Sequence, residues 1–169
     1  RGIIYIIRDP RDVCVSFSRY FNKTYEESIE ILKDNYSSIY WKQNKSLKNL
    51  VYKKTLLFLS NWKTHVLSWT KHNWETPILI LKFEDLVYDK KKEINKIIKF
   101  FENNYNFNFI NKEEKIKNII FSTNFEKLKK EEQRRGFKET GLHSKFYAVG
   151  KKNQWKELLN QKQILSLEK

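Results

Sequence analysis

The chain of 169 residues holds one cysteine, two prolines, four glycines and no methionine. A single thiol, Cys14, excludes an internal disulfide and any zinc site built on cysteine. In its apolar surroundings it reads as a packing residue. No apolar run approaches the roughly 20 residues that span a bilayer, and Arg1 leads into a short apolar strand, not a secretory signal. A natural chain rarely opens inside a core strand, so the sequence reads as part of a longer protein. With 40% hydrophobic and 15% aromatic residues, there is material for a core, and the composition is not that of a disordered chain. The length suits one domain over residues 1–169.

The charge is one-sided: 34 Lys and Arg against 20 Asp and Glu leave a net +14. That balance suits an anionic partner, whether nucleic acid, a membrane surface or a multiply phosphorylated ligand. The lysines are spread over every segment, however, amid many Asn and Ile, as a coding bias would give. Charge alone therefore selects no partner.

Ile3–Ile7 is a continuous β-branched run, the pattern of a strand buried on both faces. Asp9-Pro10-Arg11-Asp12 then starts a helix, with Asp9 as N-cap, Pro10 in the first turn and Asp12 at the positive end. Val13, Phe17, Tyr20 and Phe21 continue its apolar stripe. Residues 23–51 read as helical in parts, and Leu59–Trp74 as a helix that Pro77 ends. Ile78–Leu81 is a second buried strand, and Lys91–Phe101 an amphipathic helix. Lys112–Phe121 and Phe125–Lys130 follow as short helices. Residues 134–150 contain three of the four glycines and lose periodicity, so they read as a long loop. Trp155–Leu167 closes the chain as one or two helices. Buried strands alternating with helices predict an α/β fold with a parallel sheet.

Arg8 sits at the C-terminal end of a strand, where open α/β sheets place their ligands, and a helix N-terminus follows. Its fork suits a phosphate, and Ser16, about two turns into the helix, can add a hydroxyl. The plainer reading is an Arg paired with a neighbouring acid and a Ser with no special partner. Phe125 can stack on a base or pack in the core beside Leu128. His65 reads as structural or pocket-lining, and His72 and His143 as surface residues.

The segment Ile3–Phe21 resembles the one with which cytosolic-type sulfotransferases bind the 3'-phosphate of their donor, 3'-phosphoadenylyl sulfate. In that family an Arg after the strand and a Ser eight residues later hold this phosphate, and Arg8 and Ser16 have that spacing. Asn61–Trp69 resembles the family's W..H...W helix, and Leu79–Leu86 its next core strand. Ser122–Leu128 resembles the T-S-F segment of the adenine pocket, which places Thr123 and Phe125 there. Phe146–Lys156 resembles the C-terminal F-x-R-K-G-x-x-G-D-W-K signature, matching at Phe146, Gly150, Trp155 and Lys156.

The resemblance implies a three-layer α/β sandwich, P-loop nucleotide hydrolase-like, with a parallel central sheet flanked by helices, of which residues 1–169 would be the C-terminal two-thirds, the N-terminal part missing. It implies sulfuryl transfer from 3'-phosphoadenylyl sulfate, as co-substrate, to a hydroxyl or amine of a small-molecule acceptor, in the cytoplasm and without a metal. Arg8, Ser16, Thr123, Phe125, Phe146 and Gly150 are the implied nucleotide contacts. The family's catalytic His and its Lys-containing phosphosulfate loop would lie upstream of Arg1, so the chain alone is expected to be inactive.

The family's R-K-G is Ala148-Val149-Gly150 here, so two basic side chains are missing; Lys151 or Lys152 could stand in for them. Phe83 occupies the place of a tyrosine near the adenine. The dimer motif K-x-x-x-T-V-x-x-x-E keeps Lys156 but has Asn160-Gln161 and Leu165, so that dimer is not expected. Two other readings remain: a non-catalytic scaffold of the same fold, and a basic nucleic-acid-binding module, which no recognised binding motif supports. No nucleic-acid partner and no membrane segment are expected.

Overall fold

The computed structural model describes residues 1–36, 60–136 and 145–168, together with the backbone of 38–41 and 55–58. Strand β1 (Ile3–Ile7) leads into helix α1 (Pro10–Phe21). The Asp9 side chain caps this helix by accepting from the Arg11 N–H, and Asn22 ends it in the left-handed region (φ 51°), where Asn is tolerated. Helix α2 (Tyr25–Lys33) opens on a full capping box between Thr24 and Glu27. Strands β2 (Ser38–Trp41) and β3 (Thr55–Phe58) pair antiparallel. These strands fall in and after a stretch (residues 23–51) read from sequence as partly helical; among its described residues α2 bears that reading out.

Helix α3 (Trp62–Thr70) is shorter than the expected Leu59–Trp74, because Asn61 caps it at Thr64 N–H. Strand β4 (Ile78–Lys82) pairs parallel to β1, Ile3 beside Ile78 and Ile7 beside Lys82. A short helix α4 (Phe83–Tyr88) follows at once, and α5 (Lys90–Tyr105) begins at the Asp89 cap. Helices α6 (Lys112–Ser122) and α7 (Phe125–Arg135) come next, the latter capped by Asn124. After the closing segment (residues 145–154), α8 (Trp155–Leu158) and α9 (Gln161–Glu168) end the described chain.

Apolar spacing decides the packing. Ile94 and Ile98, four apart on α5, bury against Ile116 of α6, with Phe109 and Ile120 at the margin. Fully burying one such side chain contributes about 1.5–3 kcal/mol. Cys14 and Val15 bury on α1, where α2 packs, and Ile29 buries on α2. The Cys14 Sγ lies 3.7 Å from the Tyr25 carbonyl, and burial, with Glu26 second, pushes its thiol up to about 11.

The strands are less buried than the sequence led us to expect. Leu81 is 1% exposed, but Ile4, Ile6 and Ile80 keep 38%, 52% and 40% of their surface. Among the described residues β1 and β4 form a two-stranded sheet, and α4 and α5 pack against β4. Among the described residues this cover leaves Ile4, Ile6 and Ile80 partly exposed.

Beside β1 the aromatic side chains form a ladder: Tyr5 stacks on Trp69 at 5.5 Å, and Trp69 on Trp74 at 5.0 Å. The Tyr5 hydroxyl bonds His65 Nδ1 at 3.0 Å, and His72 meets Trp74 edge-on. His65 is therefore a structural partner of the strand, as one of its two readings had it. His143 lies outside the described residues.

Candidate functional site

The site begins where β1 stops. Arg8 leaves the strand end half-buried, with its guanidinium carbon 4.4 Å above the Phe83 ring of α4 and Nη2 donating to the Lys151 carbonyl at 3.3 Å. Its Nε is buried and has no hydrogen-bond partner among the described residues. Burial lowers the guanidinium below its ordinary value. Asp12 and Glu84 oppose that shift, whereas Arg19 adds to it. An anion in front of Arg8 would satisfy the orphaned donor and favour the charged form.

The cavity before Arg8 measures about 850 Å³, within the size range of small-ligand sites. Its wall includes all six residues singled out in the sequence: Arg8, Ser16, Thr123, Phe125, Phe146 and Gly150. They come from a strand end, the middle of α1, the α6–α7 turn and the closing segment. Residues 142 positions apart thus meet around one space.

Thr123 donates its hydroxyl to the Ile119 carbonyl at 2.6 Å and receives the Lys90 ammonium at 3.4 Å. Phe125, the first residue of α7, packs its ring against Gly150. Gly150 has φ +66°, and a Cβ added there would run into that ring. Glycine is therefore required here both by backbone conformation and by space. Phe146 is 50% exposed and meets Tyr20 edge-on at 6.3 Å.

Carboxylates from two helices hold the closing segment in place. Glu132 of α7 accepts from the N–H groups of Phe146 and Tyr147, at 2.6 and 2.9 Å. Asp12 of α1, fully buried, accepts from Asn153 N–H at 2.6 Å through Oδ2 and from Trp155 N–H at 3.2 Å through Oδ1. Lys129 donates to the Ala148 carbonyl at 3.2 Å. Arg11 stacks over the Trp155 ring at 3.7 Å, while bridging Asp9 at 2.7 Å and Glu168 at 2.9 Å. Burial would raise the Asp9 carboxyl, but its hydrogen bonds and charge contact with Arg11 outweigh that, and it titrates below its ordinary value.

Sequence reasoning gave Asp12 only a helix-end role and passed over Glu132. Nothing local marks a residue that binds backbone 141 positions away. It also missed Arg19, Lys90 and Lys145, which line the cavity. Arg19 could have been found, being three residues from Ser16 on the same helix face. Lys151 and Lys152, the suggested substitutes for the missing basic pair, are not among the lining residues, and the Lys152 ammonium lies 4.8 Å over the Tyr88 ring. Among the described residues no group of three or more His, Cys, Asp or Glu side chains could hold a metal ion, and no helix is long and apolar enough to cross a membrane.

The arrangement brings guanidinium groups and an aromatic ring to the wall of one cavity, with Gly150 beside both. Comparison with known proteins accords with it. The dog sulfotransferase 1B1 is 31% identical over 127 residues, which are 75% of this chain and 37% of that protein. The luciferin sulfotransferase of Photinus pyralis is 29% identical over 127 residues, 75% of this chain and 29% of that one. Among solved structures, a mouse sulfotransferase (SULT7A1) complexed with PAP superposes with a TM-score of 0.68 at 22% identity, over 99% of this chain and 56% of that chain. Retinol dehydratase in complex with androsterone and PAP gives 0.65 at 22%, over 99% and 45%. These likenesses establish the P-loop-like α/β sandwich expected from sequence. The chain spans about a third of the curated relatives and about half of the solved structures that it matches. The sulfotransferase domain model matches residues 2–169, and the chain belongs to that family.

Proposed function

We propose that this chain forms the donor-binding side of an enzyme that transfers a sulfuryl group from 3'-phosphoadenylyl sulfate to a hydroxyl or amine of a small molecule. The observation that carries this reading is the single cavity on which Arg8, Ser16, Thr123, Phe125, Phe146 and Gly150 all open. The site fits such a nucleotide on two counts: the buried, unpartnered Nε of Arg8, and the glycine that leaves the Phe125 ring uncovered by any side chain at 150.

Arg8 and Ser16 hold the 3'-phosphate, the first through its charged fork and the second through its hydroxyl. Phe125 offers its ring to the adenine. Thr123 acts through its lone pairs, since its proton is given to Ile119. Gly150 brings the closing segment against the nucleotide. The bound donor supplies a sulfuryl group whose S–O bond to phosphate breaks as the acceptor oxygen or nitrogen bonds to sulfur and gives its proton to a base. Fixing the donor at its remote phosphate positions that sulfur for attack, an entropic gain in rate. No residue of this chain is assigned as the base or as the cation at the leaving phosphate. We therefore expect binding without turnover from these residues alone. Relatives named for luciferin and for amines support a small-molecule acceptor.

The test is calorimetric titration of the full-length protein with adenosine 3',5'-bisphosphate, the desulfated donor. Binding in the micromolar range should weaken about tenfold to a hundredfold in Arg8→Ala, as loss of a charged phosphate contact requires. A folded protein that does not bind the nucleotide would refute the reading and leave a non-catalytic scaffold, with Ala148-Val149 as the cause.

A further inference from the structure

The closing segment carries Ala148 and Val149 where a basic pair would face the phosphate, yet the cavity is not short of cations. We propose that Arg19 is a third ligand of the nucleotide's 3'-phosphate beside Arg8 and Ser16, supplying charge that positions 148 and 149 lack. This rests on the donor-binding reading above.

Three observations converge on Arg19. Ser16 and Arg19 are three apart on α1, so they lie on one helix face, and both line the cavity. Arg19 Nη2 donates to Gln154 Oε1 at 3.2 Å, and Gln154 Nε2 donates to the Lys151 carbonyl at 2.9 Å. That same carbonyl receives Arg8 Nη2 at 3.3 Å. The two guanidinium groups are thus bracketed by one short relay, Arg19–Gln154–Lys151–Arg8, beside Gly150.

Electrostatics agrees with the geometry. Arg8 and Arg19 are close enough for the charge of Arg19 to disfavour that of Arg8. Asp12 is the carboxylate that most favours the charge on Arg8, but its two oxygens are committed to Asn153 and Trp155 N–H. A dianion between the two guanidinium groups would relieve their repulsion and gain a second fork. Other cations are placed worse: Lys90 lies on the Thr123 carbonyl at 2.9 Å, at the adenosine end, and Lys129 on the Ala148 carbonyl. Lys99, an exposed cation of α5 that does not line the cavity, serves as the control.

The experiment titrates the full-length protein with adenosine 3',5'-bisphosphate and, separately, adenosine 5'-monophosphate. Arg19 is exposed, so Arg19→Gln should leave the thermal melting curve in place. The bisphosphate should bind about ten- to fiftyfold more weakly to Arg19→Gln, with 5'-monophosphate affinity unchanged within about twofold. Arg19→Lys should restore part of the loss, and Lys99→Gln should stay within about twofold of the unsubstituted protein. Unchanged bisphosphate affinity in Arg19→Gln, alongside loss in Arg8→Ala, overturns the inference and leaves the donor site standing. An equal loss for both nucleotides overturns it too, because the side chain then does not read the 3'-phosphate. If the unsubstituted protein binds bisphosphate no better than monophosphate, this inference and the donor reading fall together.

Discussion

Removing the Asp12 carboxylate should release the closing segment from α1. In Asp12→Ala the N–H groups of Asn153 and Trp155 lose charge-assisted acceptors at 2.6 and 3.2 Å, in a place where the carboxylate was fully buried. Such bonds contribute about 1.5–3 kcal/mol each, and the longer one belongs at the low end. The expected loss is therefore about 3–5 kcal/mol, a large share of the roughly 5–15 kcal/mol that holds a domain folded. Asp12→Asn keeps one acceptor and turns an NH₂ toward the second N–H, so it should lose about half as much or slightly more. Urea unfolding of the three proteins gives the free energies. Amide hydrogen exchange at 153 and 155 tells whether the segment opens alone, in which case those two amides accelerate while the core amides of α5 do not. A change below about 0.5 kcal/mol in Asp12→Ala, with exchange at 153 and 155 unaltered, would refute the reasoning, since buried ionic acceptors cannot be removed so lightly.

Two further outcomes follow from the same region. Gly150→Ala places a Cβ against the Phe125 ring at φ +66°, and should lower stability by about 1–3 kcal/mol in thermal unfolding while weakening nucleotide binding; an unchanged melting curve would mean the ring yields freely. Asp9, held below its ordinary value mainly by Arg11 once burial is outweighed, contributes stability that is present above the unfolded carboxylate pKa and lost as pH falls through the folded one. The stability difference between the protein and Asp9→Asn should therefore shrink on acidification below about pH 4, and a difference constant from pH 7 to 3 would contradict the pairing.

The local signals in the sequence were strong wherever one residue settles a conformation. Asp9-Pro10 marked the start of α1, the isoleucines marked β1 and β4, and Asn124 before Phe125 sits where α7 begins. The start of α2 was overlooked although Thr24 and Glu27 form a capping box, and strands β2 and β3 fall where no glycine or proline announces a change of element. Helix α4 was missed for a similar reason: it follows β4 without a loop, its cap Lys82 making no side-chain bond. Burial of the strands was overstated because β-branched runs report propensity, whereas cover depends on which helices pack against them. Of the six cavity residues, Arg8 and Ser16 could be read from their place in the fold, and Thr123, Phe125, Phe146 and Gly150 only through the family resemblance. The carboxylates that hold the closing segment were not, since Asp12 and Glu132 act on backbone N–H groups and leave no complementary side chain to recognise.

That manner of holding has a consequence for how the segment can change. Phe146, Tyr147, Ala148, Asn153 and Trp155 are fixed through their own N–H and C=O groups by side chains that belong to α1 and α7. The Ala148 and Val149 side chains are spared that duty, so they can differ from the family signature while the backbone beside Gly150 keeps its course. The segment behaves as a mount with interchangeable fittings, and positions 148 and 149 are where binding strength could be retuned without redesigning the fold.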